Sequence, residues 1–203
     1  MTLALVRKLN RGIDVVARFM GGCAGWLFIA CACFITFDVL ARKFFGFSTQ
    51  SSIELSGYML AVGIAWGLAS ALEGRAHVRI DVLIQRIPAG SRRYLHLVAL
   101  AMLAVFAGFL VYGAAQTFAE SWEFKATDNS LIKTPLIIPQ GLWLIGLAVF
   151  GLMTGLRVLE VALLLRDGSI AEIEHITGPK SYIEEADETL QALGVDAHSG
   201  AKP

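Results

Sequence analysis

The chain has 203 residues, of which 56% are Ala, Val, Ile, Leu, Met, Phe, Trp, Tyr or Cys and only 17% are charged, with seventeen Lys+Arg balancing seventeen Asp+Glu. Soluble domains carry about 25% charged residues, and the mean hydropathy here is +0.62. This composition excludes a disordered chain, an ordinary soluble enzyme domain and a basic nucleic-acid binder, and it indicates a small integral membrane protein.

Residues 1–18 form an amphipathic segment. Arg7, Arg11, Asp14 and Arg18 recur at helical spacing, and Leu5, Leu9, Ile13 and Val16 occupy the opposite face. Such a segment either lies on an anionic inner leaflet or extends the first span into the cytoplasm, and periodicity does not separate the two. Residues 19–37 carry no charge. A bilayer core of about 30 Å needs about 20 such residues, so a span is predicted over about 19–40. The run is too long for a signal peptide and continues past Cys31, so the helix is expected to stay uncleaved. Cys23, Cys31 and Cys33 all lie in this span. Cys31 and Cys33 point about 200° apart on a helix, which makes them packing residues rather than a redox or metal pair.

Three more runs follow. Residues 55–72 are charge-free, residues 94–119 hold only the titratable His96, and residues 134–156 are charge-free. Spans are predicted over about 54–73, 94–119 and 134–160. In lipid the backbone must satisfy its own hydrogen bonds, and no run shows the alternation of a membrane barrel, so the spans are helices. Gly21/Gly25, Gly63/Gly67 and Gly151/Gly155 repeat at i, i+4, a spacing that permits close helix approach. The loop between the second and third spans places Ile80, Leu83, Ile84 and Ile87 on one helical face beside Arg75, Arg79 and Arg86, which fits either a short amphipathic cytoplasmic helix ended by Pro88-Ala89-Gly90 or a basic loop that sets the topology. Arg157 and Glu160, at i, i+3, are expected to pair with each other near the inner end of the fourth span. Residues 166–203 hold eight acidic and three basic residues. This acidic tail is expected to be partly disordered, with a short helix from Ser181 to Gly194 as the alternative.

Lys and Arg cluster in residues 7–18, 75–93 and 166–203, whereas the first and third loops hold only Arg42, Lys43, Lys125 and Lys133. Both termini are therefore expected in the cytoplasm. Chemistry-bearing patterns are sparse. No paired intramembrane histidines, zinc spacing, phosphate loop or nucleophile elbow occurs, which argues against an enzyme or a cofactor-binding redox protein. No ionisable residue falls in mid-span, which argues against transport by this chain alone.

The blocks Ala41-Arg42-Lys43-Phe44-Phe45-Gly46-Phe47-Ser48, Ile53-Glu54-Leu55-Ser56 and Glu73-Gly74-Arg75-Ala76-His77-Val78-Arg79-Ile80-Asp81, with Thr134-Pro135-Leu136-Ile137-Ile138-Pro139 opening the last span, carry a resemblance. Over about residues 15–165 the chain resembles the small membrane subunit of tripartite ATP-independent periplasmic (TRAP) transporters, the DctQ-like family. The His-Val-x-Ile-Asp block is its most specific element. The resemblance implies an all-α integral membrane protein of four transmembrane helices in the bacterial inner membrane. It implies two partners, a large membrane subunit that binds solute and sodium and a periplasmic solute-binding protein, and no cofactor. This chain would be a static scaffold for import of a small, organic-acid-type solute. Arg42, Glu54, Arg75, His77 and Asp81 fall on recurring family positions and are carried over, with the small residues Gly63 and Gly67, as structural or partner-interface candidates rather than solute ligands. The rival readings are a self-sufficient four-span transporter and a structural assembly protein with no transport role.

Overall fold

A computed structural model describes residues 2–47, 52–74, 89–128 and 133–167, together with Leu190. Helix α1 spans Thr2–Phe45, α2 Ser52–Glu73, α3 Ala89–Glu123 and α4 Ile137–Asp167. Each contains a stretch long and apolar enough to cross a membrane, so the four predicted spans are all helical. The candidate helix of the second loop and the acidic tail lie outside the described residues, Leu190 excepted.

Local chemistry sets the helix ends. Gly46 takes a left-handed conformation (φ 62°) just after α1, whose last turn carries Arg42 and Lys43 against the helix dipole. At the end of α3, Lys125 (φ 48°) turns the chain while Ala126 N–H donates to the Ser121 carbonyl, the hydrogen bond that closes a Schellman motif. Backbone hydrogen bonds from Asp128 to Thr134 and from Leu136 to Ala126, each 3.0 Å, then draw the α3–α4 loop together. Pro139 sits in the first turn of α4, where no intrahelical donor is needed.

The four helices form a layer rather than a closed square. α2 and α4 occupy its middle, α1 packs chiefly on α2, and α3 chiefly on α4. Two apolar clusters fill the contacts within the membrane: Ala17, Ala69, Leu72, Ala107, Phe150 and Met153 in one, and Ala65, Ala114 and Leu147 in the other. Cys31 is buried towards α2 and Cys33 is exposed, the divergence expected of residues two apart on a helix.

The helices differ in length, and this shapes the molecule. The 22 residues of α2 extend about 33 Å at about 1.5 Å per residue, close to the thickness of a bilayer core. Its last residue, Glu73, pairs with Arg18 of α1 at 3.8 Å. Residues 2–17 of α1 therefore continue past the end of α2 for about 24 Å. The first turns of α3 and the last of α4 continue with it. Leu100, Val161 and Leu164, flanked by Leu3 and Leu97, give this three-helix projection its own core.

The N-terminal segment is thus an unbroken continuation of the first span, the second of the two arrangements that periodicity left open. Leu5, Leu9 and Val16 point outwards, and Val6, Asn10 and Ala17 point inwards. The reason is the partner surface: α4 presents Arg157 and Glu160 to this stretch, and polar residues of α1 turn to meet them.

Candidate functional site

The charged side chains of the described residues gather at the two ends of the layer. At the end bearing the start of α1 and the end of α4, α1 contributes Arg7, Asn10 and Asp14, and α4 contributes Arg157 and Glu160. One guanidinium nitrogen of Arg157 donates to both carboxylate oxygens of Asp14, at 2.8 and 3.0 Å. Glu160, only 4% exposed, accepts a hydrogen bond from Asn10 Nδ2 at 2.5 Å and faces Arg7 at 3.5 Å. The expected pairing of Arg157 with Glu160 within α4 is a loose 3.9 Å contact. These residues are not solvent-reaching anchors but a seam holding the projecting part of α1 against α4. Leaving a buried carboxylate unpaired would cost several kcal/mol, and the seam avoids this with complementary groups one and two turns apart. Outside the seam, Leu3, Ala4, Arg7, Lys8 and Arg11 line an open basic recess.

At the opposite end, Asp38 of α1 is fully buried. It accepts from Arg42 at 2.6 Å and from the Ser52 hydroxyl at 3.0 Å. The second bond ties the start of α2 to α1 across the intervening loop. Glu54 and Tyr58 form a further tie. The Tyr58 hydroxyl lies 2.5 Å from Asp128 Oδ2, in the α3–α4 loop, and 3.2 Å from Glu54 Oε1. One hydroxyl hydrogen thus stands between two carboxylates, and α2 is fixed to the loop that joins the other two helices.

Close packing of small residues sets the helix spacing between the ends. A Cβ built on Gly21 would collide with the Ser70 side chain of α2, and one on Gly146 would lie 2.9 Å from the Ala65 carbonyl carbon and 2.6 Å from Trp66 Cδ1. The approach at Gly146 lets the Trp66 indole N–H donate to the Leu142 carbonyl at 2.9 Å. The sequence reading missed Gly146 because no second glycine stands four residues away. Of the three glycine pairs that were legible, Gly21, Gly63 and Gly151 meet neighbours, whereas Gly25, Gly67 and Gly155 face open space.

Among the sequence-predicted site residues, Arg42 and Glu54 sit in the two ties at the loop-bearing end, and Gly63 abuts the Phe28 ring. Gly67 has no neighbour within 4 Å. Arg75, His77 and Asp81 lie outside the described residues. The residues brought together but not foreseen are Asn10, Asp14, Ser52, Tyr58 and Asp128. Asp14 and Asp128 are single charges in polar stretches, and only the fold assigns each its partner.

The arrangement is that of a braced wall. Ion pairs and hydrogen bonds clamp both ends, and the described interior between them is apolar, with the buried Thr154 hydroxyl closing on the Phe150 carbonyl of its own helix. The outer faces are strongly apolar, with Trp26 75% and Phe109 71% exposed. Among protein families, the model described as tripartite ATP-independent periplasmic transporters, DctQ component, matches residues 31–164, about two thirds of the chain. No curated protein and no solved structure matches.

Proposed function

Since the chain belongs to the DctQ family, the small membrane components of TRAP transporters, we propose that it is the fixed frame beside which a large membrane subunit imports a small organic-acid solute. A periplasmic binding protein delivers that solute. The chain lies in the bacterial inner membrane with both termini in the cytoplasm, the orientation its Lys and Arg placement favours. The large subunit performs solute binding and ion coupling, and this chain is not an enzyme.

The observation that carries the proposal is the family match over the membrane body. The structure supports it in one further respect. A frame must not deform while its partner moves, and the clamps at both ends, with close-packed alanine and glycine between, resist shear of one helix past another. Arg42, Glu54 and Gly63 act in this reading as frame residues, through Asp38, Tyr58 and Phe28. Arg75, His77, Asp81 and Gly67 remain partner-interface candidates, the first three by resemblance alone.

The test is co-purification. Membranes carrying the chain with a C-terminal tag are solubilised in mild detergent, and the bound proteins are identified. A large polytopic membrane protein at equal stoichiometry is the expected result. A stable homo-oligomer with no such partner overturns the proposal.

A further inference from the structure

α1 and α3 form the two edges of the layer, and both expose apolar side chains along the membrane. On α1 these include Phe19, Trp26 and Phe37. The one hydroxyl of that stretch, Thr36, donates to the Ala32 carbonyl of its own helix at 2.8 Å. α3 differs. Its Thr117 is likewise satisfied by the Gly113 carbonyl, but Tyr112 and Gln116, both exposed, are not satisfied by their helix. Gln116 Nε2 donates to the Tyr112 hydroxyl oxygen at 2.9 Å, and among the described residues this is the only hydrogen bond either side chain makes. The tyrosine hydroxyl hydrogen, the second amide hydrogen and the amide oxygen of Gln116 are left over.

The depth of this pair matters. Ala114, two residues from each, packs with Ala65 of α2 and Leu147 of α4. Ala65 is the fourteenth of the 22 residues of α2, the helix whose length matches the bilayer. Gln116 therefore lies close to the middle of the hydrocarbon layer, and Tyr112, one turn nearer the Glu73 end of α2, about 7 Å from it. Lipid tails offer no hydrogen-bond partner there, and polar side chains at that depth join helices. Gly108 and Gly113, with no neighbour within 4 Å, leave room beside the pair for another backbone to approach.

We propose that the outer face of α3, centred on Tyr112 and Gln116, docks a helix of the large membrane subunit that brings a polar side chain to mid-membrane depth. The inference rests on the small-subunit reading above and assigns the face that reading leaves open. The family's transporters are built from unlike components, so an unlike subunit is the occupant.

The experiment uses the full chain in its native membrane, with a photo-crosslinking amino acid replacing Phe109 or Trp26. A cross-link to a large polytopic subunit from position 109 and not from position 26 is expected. Gln116→Leu is expected to lower recovery of that subunit in detergent about 3- to 20-fold, the range for one interhelical hydrogen bond in a membrane. Its helix content should stay unchanged, because leucine suits a lipid-facing site. A cross-link from position 26 alone overturns the assignment while leaving the small-subunit reading intact. So does a cross-link from position 109 to a second copy of this chain, and so does unchanged recovery of Gln116→Leu with position 109 silent. Failure of the unmodified chain to recover any large subunit overturns the small-subunit reading, and this inference with it.

Discussion

Replacing Asp14 or Arg157 tests whether the seam holds the projecting third of α1. The two side chains are about one-fifth exposed, 20% and 19%, and share hydrogen bonds of 2.8 and 3.0 Å. A hydrogen bond to a charged group contributes about 1.5–3 kcal/mol, and removing one member of a buried pair costs about 3–5 kcal/mol. The partial exposure selects the lower end, about 3 kcal/mol for either Asp14→Leu or Arg157→Met. In the first variant Arg157 keeps, among the described residues, the 3.9 Å approach of Glu160, and in the second Asp14 loses both hydrogen bonds from the Arg157 nitrogen. The double variant leaves neither charge stranded, so it is expected to lose no more than either single variant, about 3 kcal/mol rather than about 6. The coupling energy is then about 3 kcal/mol. It is measured by reversible unfolding in mixed micelles with rising dodecyl sulfate, followed by circular dichroism. A parallel readout is trypsin cleavage at Arg7, Lys8 and Arg11, which should accelerate in the single variants. Additive losses, with a coupling below about 0.5 kcal/mol, would refute the claim that these charges brace α1 against α4.

Four further outcomes follow from the packing and the ties. Gly146→Val should cost about 1–3 kcal/mol, since its Cβ meets the Ala65 backbone and Trp66. Gly155→Ala, with open space around it, should be neutral or slightly stabilising, and thermal midpoints in one detergent compare the two. Tyr58→Phe removes the hydroxyl between Glu54 and Asp128, so hydrogen exchange should quicken across residues 124–136 while the helix interiors stay protected. Arg42→Ala leaves the buried Asp38 with Ser52 as its remaining described partner in this tie. Because the Arg42 side chain is 60% exposed, the expected loss is only about 1–2 kcal/mol, read from the same unfolding titration.

The number, type and approximate position of the four membrane-spanning helices were legible in the sequence because the constraint behind them is local. A charge-free run of about 20 residues has only one way to cross lipid, and each of the four runs met that condition by itself. The divergence of Cys31 and Cys33 was legible for the same reason. Which side chains face inwards was not. The apolar stripe of Leu5, Leu9, Ile13 and Val16 does not tell lipid from protein: Ile13 packs against the core, and the other three point outwards. In a membrane, lipid accepts leucine as readily as protein does, so polar and small residues mark the contacts instead. Asn10 and Ala17 lie inwards because Glu160 and Met153 of a helix more than 130 residues later wait there. Gly146 is a contact because Ala65 crosses it, whereas Gly155 is not, though its sequence pattern is the stronger. The sequence determined that four helices cross. The tertiary structure alone decided which surfaces they spend on one another and which, like the face of Tyr112 and Gln116, they leave for something else.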